Sequence, residues 1–353
     1  MGHIGLGSLF AFFIHAFHMP IFFFISGFLF RCGSEKTRKE IETPEYIKRK
    51  CRTLLIPYCF FGVFHYVFLT CWEGFHVDFR ILTHLFFINT SGMPIAGALW
   101  FLTALFFTSV IYFCLDRYIE NYMLRTVIII MLALMGNYAV RILPFRLPYA
   151  LDASFVGLGL FHMAHILKQN QNKKYLKSIF SLKFIEWFIF TIIIGILIFK
   201  NGYINMRLGE YAKVPLFWIN AVGAGIIGMN FSKYCCPLKD RLRIFSFIFK
   251  FIGYIGKNSI VYVCLNEFVI YIFRNHIELL ELPDGVASLV FLIVTIVILY
   301  FLDTVINTTV LRVIIGRSLK DKPAKLQASR MYLKKMAFQT LASFFAIYGL
   351  LSI

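Results

Sequence analysis

Nine ionisable side chains stand inside or at the ends of long apolar runs: His3, His15, His18, His65, Asp152, His162, His165, Glu267 and Asp303. Charge in such surroundings is costly, so each needs a partner or a task. The densest group lies in HIGLGSLFAFFIHAFHMPIFFFISGFLF, where His3, His15 and His18 precede Pro20 and a run of phenylalanines. Imidazole titrates near neutrality and suits proton transfer, although a histidine bonded to a backbone carbonyl would look the same in sequence. His15 and His18 are three apart and share a face if one helix runs through both. Pro20 suits a first turn or a break, in which case His-Met-Pro is a bend that turns imidazole toward a cavity. Arg207 and Glu210 in NMRLGEY are also three apart, which on a helix lets them pair or bind hydroxyls together. Asp152 opens a predicted helix, where the backbone dipole favours a carboxylate.

The elements that hold these residues are set by solvent. Of 353 residues, 59% are hydrophobic and 15% charged, and the mean hydropathy is +0.74, too apolar for a water-soluble domain of this length. A membrane helix takes about 20 mostly apolar residues. Such runs fall near 10–30, 54–71, 98–115, 124–143, 148–167, 184–200, 214–232, 251–273, 286–309 and 336–353, predicting an all-α polytopic integral membrane protein of about ten transmembrane helices. The whole chain, 1–353, reads as a single membrane domain. The stretch 79–90 is too short to span and reads as an interfacial or re-entrant piece. Trp100 is placed at the outer interface, where Trp anchors are common.

The net charge of +18 does not point to nucleic acid, because the Lys and Arg residues sit in loops between apolar runs instead of on one folded face. Scored by alternate loops, 29 of the 36 basic residues fall on one side (31–52, 116–125, 168–183, 233–257 and 312–335) and 7 on the other. That asymmetry predicts that the basic loops are cytoplasmic. Met1 then lies outside, with nothing in the first nine residues to carry it across, so a preceding helix is expected. The eight cysteines are scattered without a CxxC pair, which indicates neither a disulfide framework nor a metal site.

Six strings occur in order along almost the whole chain: FHMPIFFFISGFLF, EYIKRKCRTLLIPY, ALWFLTALFF, LPYALDASFVGLGLFHMAHIL, INMRLGEYAKVPLFWINAVGAG and FIGYIGKNSIVYVCLNEF. Together they resemble the membrane acyltransferase 3 family, with the fucose 4-O-acetylase-like branch the nearest in flavour. The resemblance implies a basic residue about three helical turns before a Gly-His pair, and Gly2-His3 matches the end of that motif. By that likeness His3 is the essential histidine, as general base or acyl carrier, and His18 lines the same cavity. The basic partner has no counterpart in this chain.

The resemblance further implies acetyl-CoA as acyl donor, no metal, and a carbohydrate acceptor, with O-acetylation of a cell-surface or exopolysaccharide hydroxyl as the reaction. Arg49, Lys50 and Arg52 would meet the polyanionic donor at the cytoplasmic mouth, where positive-inside anchoring is the plainer alternative. Trp100, Asp152, Arg207 and Glu210 would meet the acceptor. Asn266 stands where the family commonly has a histidine, and it cannot exchange a proton near neutral pH. Glu267 is an intramembrane carboxylate beside it, but helical neighbours point about 100° apart, so it is not assigned that task. Two rival expectations remain: a transport or binding module, like the membrane domains fused to serine racemases, and a catalytically inactive fragment.

Overall fold

The computed structural model describes residues 8–30, 41–72, 74, 77–91, 95, 97–241, 243–278 and 284–318. Its elements are helices: α1 (Ser8–His15), α2 (His18–Phe28), α3 (Thr43–Lys50), α4 (Ile56–Trp72), α5 (Phe79–Phe86), α6 (Trp100–Tyr118), α7 (Tyr122–Ile142), α8 (Leu151–Gln169), α9 (Lys174–Ile179), α10 (Phe184–Asn201), α11 (Val214–Arg241), α12 (Arg243–Lys257), α13 (Ser259–Glu278) and α14 (Asp284–Thr308). A π-helical turn, Cys51–Leu55, joins α3 to α4, and a 3-10 turn, Val310–Ile315, follows α14. Among the described residues, seven helices are long and apolar enough to cross a bilayer, and up to eight if one bent pair counts as a span. The protein is thus an all-α polytopic membrane protein.

Two predicted spans depart from straight rods. The run 10–30 is broken at Ala16–Phe17 into α1 and α2, leaving a shorter apolar helix, Phe12–Phe28. The run 251–273 turns through 86° between Lys257 and Ser259, so its first residues belong to α12 and the rest to α13, the two together forming the bent pair. Hydropathy registers that a segment is apolar but not the direction of its axis. The predicted span 336–353 lies outside the described residues. The 79–90 stretch holds α5, eight residues long and capped by Asp78, whose carboxylate accepts from the Arg80 N–H at 2.8 Å; as expected, it is too short to span.

The phenylalanine run of α2 explains why this helix lies at the centre. Without water to drive helix association in lipid, close packing over small residues takes over. Phe23 lies over Gly157 of α8 and Phe24 over Gly225 of α11; a Cβ on these glycines would come within 2.5 and 2.6 Å of the rings. At Gly27 the helices nearly touch, since a Cβ there would sit 2.1 Å from the Phe161 carbonyl oxygen. That neighbour is backbone and cannot rotate away. Gly27→Val is expected to force α2 off α8 and cost about 3 kcal/mol, the upper part of the range for overpacking. Thermal unfolding in detergent checks this; an unchanged midpoint would remove the close approach.

Candidate functional site

The end of the bundle away from the basic loops gathers distant segments around one charged pair. The loop between α10 and α11 folds as a tight hairpin, in which Asn205 and Glu210 exchange backbone hydrogen bonds of 2.8 and 2.9 Å. Gly209 closes it with φ +76°, a left-handed conformation that favours glycine. Arg207 therefore sits on a turn, not a helix, and the expected face shared with Glu210 does not exist. Glu210 is exposed. The Arg207 Nε donates to the Thr90 carbonyl at 2.8 Å, and its charge is opposed by Glu267. Burial lowers the guanidinium's proton affinity and Glu267 partly restores it.

Glu267 reaches this pair from α13. It accepts the Gly97 N–H at 2.6 Å and also bonds the Ala98 N–H, so the carboxylate sits at the start of the helical stretch leading into α6, where backbone donors and dipole favour an anion. A Cβ on Gly97 would strike both Arg207 Nη1, at 2.2 Å, and Glu267 Oε2, at 2.9 Å. Glycine is what lets opposite charges close over this backbone. Asn266, one residue earlier, has its side-chain oxygen bound to the Glu267 N–H at 2.8 Å.

An ion pair stands nearby. Asp152 does open α8, as expected, but it is also bound to Arg146 at 2.7 Å, with the carboxylate side chain 1% exposed and the guanidinium 16%. Tyr211, from the Arg207 hairpin, is close enough to feel both charges. Its hydroxyl and that of Thr90 are buried without hydrogen-bond partners. Among the described residues, the non-glycine ones with positive φ are Tyr149 (54°), Ala150 (57°) and Ala212 (50°), all beside these pairs, and such strain tends to concentrate at functional sites.

Trp100 opens α6 and is buried inside the protein. It is 3% exposed and packs with Leu99 and Phe101 in the main core, because the segment around Asn89 and Thr90 closes over this end. Asn89 Nδ2 donates to Thr103 Oγ1 at 2.8 Å, one turn along α6, while Arg207 holds Thr90.

The α1–α2 break carries the histidines. The His15 and His18 rings lie 5.0 Å apart, edge to face, and His15 is 5.8 Å from the ring of Tyr203 in the Arg207 loop. His18 Nδ1 donates to the Ile14 carbonyl at 3.0 Å, which leaves Nε2 as the basic nitrogen of the neutral ring. The break falls at Ala16–Phe17, just before His18, so His18-Met19-Pro20 form the first turn of α2, the other place Pro20 suits, and not the bend. His3 lies outside the described residues.

The remaining candidates lie elsewhere. Arg49 and Lys50 both lean over Tyr46, at 5.4 and 5.6 Å from its ring centre, and Tyr46 stacks on Phe113 at 3.9 Å. Arg52 is exposed on the π turn. His65 is 1% exposed and stacks on Phe268. His162 lies between the hydroxyls of Tyr112 and Thr126, each at 3.1 Å. His165 accepts from Gln169 at 2.9 Å. The sequence singled out Glu267 without assigning it a task and gave Arg146 none; the signal was that an intramembrane carboxylate demands a cation, but which cation was open.

Compared with known families, residues 2–304 match the acyltransferase domain of the acyltransferase 3 family. No curated protein and no solved structure matches the chain. With most of its length covered by that match, and with the all-helical membrane architecture described above, the chain belongs to the membrane acyltransferase 3 family.

Proposed function

We propose that this membrane acyltransferase moves an acetyl group from cytoplasmic acetyl-CoA to a hydroxyl of a cell-surface or exopolysaccharide carbohydrate. The observation that carries the reading is the far end of the bundle, where the bent histidine segment abuts the loop holding Arg207. There the Arg207–Glu267 and Arg146–Asp152 pairs sit beside the buried hydroxyls of Thr90 and Tyr211, which lack partners. Buried hydroxyls seldom go unsatisfied, and a polyhydroxylated acceptor supplies what they lack. The paired charges keep that surface near neutral, which suits a sugar better than a strongly ionic ligand. At the opposite, basic end, Arg49, Lys50 and Arg52 suit the phosphates of the donor.

The chemistry asks little more than a base. A histidine takes the proton of the acceptor hydroxyl as its oxygen attacks the thioester carbonyl. Collapse of the tetrahedral intermediate expels the CoA thiolate, which recovers the proton from imidazolium. Membrane placement in the bacterial cytoplasmic membrane, with basic loops inward, keeps donor and acceptor on their own sides.

The test is transfer of labelled acetyl from acetyl-CoA by the purified full chain in nanodiscs, with and without an extracted surface polysaccharide. Acceptor-dependent label on carbohydrate, released by mild base as an O-ester, is the expected result. Uptake of labelled serine without turnover of acetyl-CoA would instead select a transport module.

A further inference from the structure

The polar residues left over by the two sites gather at the basic end, where α12 breaks into α13. Asn258 is the residue at the break, and its Nδ2 donates to Asp303 Oδ2 at 2.9 Å. Asp303, on α14, is 0% exposed. Its Oδ1 accepts from Asn307 Nδ2 at 2.6 Å, and Tyr254 of α12 bonds the same carboxylate. Arg317, beyond the 3-10 turn, comes back onto this group. Its Nη2 donates to Asn258 Oδ1 at 2.6 Å and to the Lys257 carbonyl at 3.0 Å, and its Nη1 donates to Asn307 Oδ1. A carboxylate with this many donors forms a satisfied network, and such networks rigidify their surroundings.

The network ends on the mouth. Gly316, next to Arg317, has φ +75°, and a Cβ there would stand 2.2 Å from the Arg52 carbonyl oxygen. Arg52 is the second residue of the π turn, in which the Ile56 N–H bonds the Cys51 carbonyl five residues back. A π turn is rare, and within helices it recurs at functional sites. This one is braced from outside by the Gly316–Arg317 strap.

We propose that Asp303 is a positioning residue for the acyl donor: through Asn258, Asn307 and Arg317 it holds the Gly316 strap against the π turn, and so sets how Arg52 meets the donor's phosphates. The proposal rests on the reading of the basic mouth as the donor site. Asp303 touches no reacting atom and moves no proton; it sets donor affinity and leaves the chemical step alone.

The experiment measures calorimetric binding of CoA and steady-state transfer for the full chain in nanodiscs, as wild type, Asp303→Asn and Gly316→Ala. Asp303→Asn removes the charge within the network. Gly316→Ala leaves the network intact and lifts the strap, so it carries the test if the first variant fails to fold. About tenfold weaker CoA binding and a tenfold higher KM for acetyl-CoA, with kcat within twofold, is expected for each folded variant. Wild-type binding with both folded variants unchanged overturns the proposal and leaves the donor site standing. No CoA binding by a wild type that still melts cooperatively overturns both.

Discussion

His18→Gln is expected to lower acetyl transfer by about 10²- to 10⁴-fold, the range for loss of a general base. The same loss is expected for His3→Gln, if His3 is the essential histidine that the Gly2-His3 resemblance implies. His18 begins α2, and its Nδ1–H is held by the Ile14 carbonyl, so the ring is oriented and the lone pair lies on Nε2. Glutamine preserves a donor for Ile14 and removes the proton acceptor, which separates chemistry from folding. Helix content and thermal midpoint should stay close to wild type, because His18 is only half-buried. His15→Gln, which removes a ring packed edge to face on His18 and tilted against Tyr203, should cost less. Single-turnover transfer of labelled acetyl from a preformed donor complex reads the chemical step directly. If neither His3→Gln nor His18→Gln slows it tenfold, neither of these two histidines acts as the base.

Arg146→Ala should be the most destabilising single change at the far end, by about 3–5 kcal/mol, because it strands a buried carboxylate. Asp152 is 1% exposed and bound to Arg146 at 2.7 Å. The same residue opens α8, and its dipole contribution of up to about 2 kcal/mol does not replace a lost cation. Removing both charges should recover much of the loss, so the double variant Arg146→Met with Asp152→Leu is expected to unfold at a higher temperature than Arg146→Ala alone. Thermal denaturation of the three proteins in one detergent, followed by circular dichroism, decides the matter. A double variant no more stable than Arg146→Ala would mean that the pair is not what holds this end.

Several features follow from composition and local order alone. Apolar runs of spanning length, separated by short polar loops, admit only helices in a bilayer, since every backbone group must be satisfied within its own segment. The uneven spread of Lys and Arg pairs those helices into two ends. The six ordered strings point to the acyltransferase 3 family, which the match over 2–304 bears out. The helix start at His-Met-Pro was also visible, because proline suits a first turn by a local steric rule.

Tertiary structure decided the partners. Arg207 and Glu210 are three residues apart, yet the chain turns at Gly209 and sends Arg207 toward Thr90 and Glu267. Gly97 and Glu267 are 170 residues apart and share a 2.6 Å hydrogen bond. Trp100 went into the core because the remote segment around Asn89 covers it. The 86° break at Asn258 sits within an unbroken apolar run, and the carboxylate that Asn258 binds there, Asp303, lies on another helix. Hydrophobicity tells each segment that it belongs in lipid, but lipid is as apolar as leucine and cannot choose between neighbours. That choice falls to close packing over glycines and to hydrogen bonds between polar groups far apart in sequence, and these exist only once the helices have met.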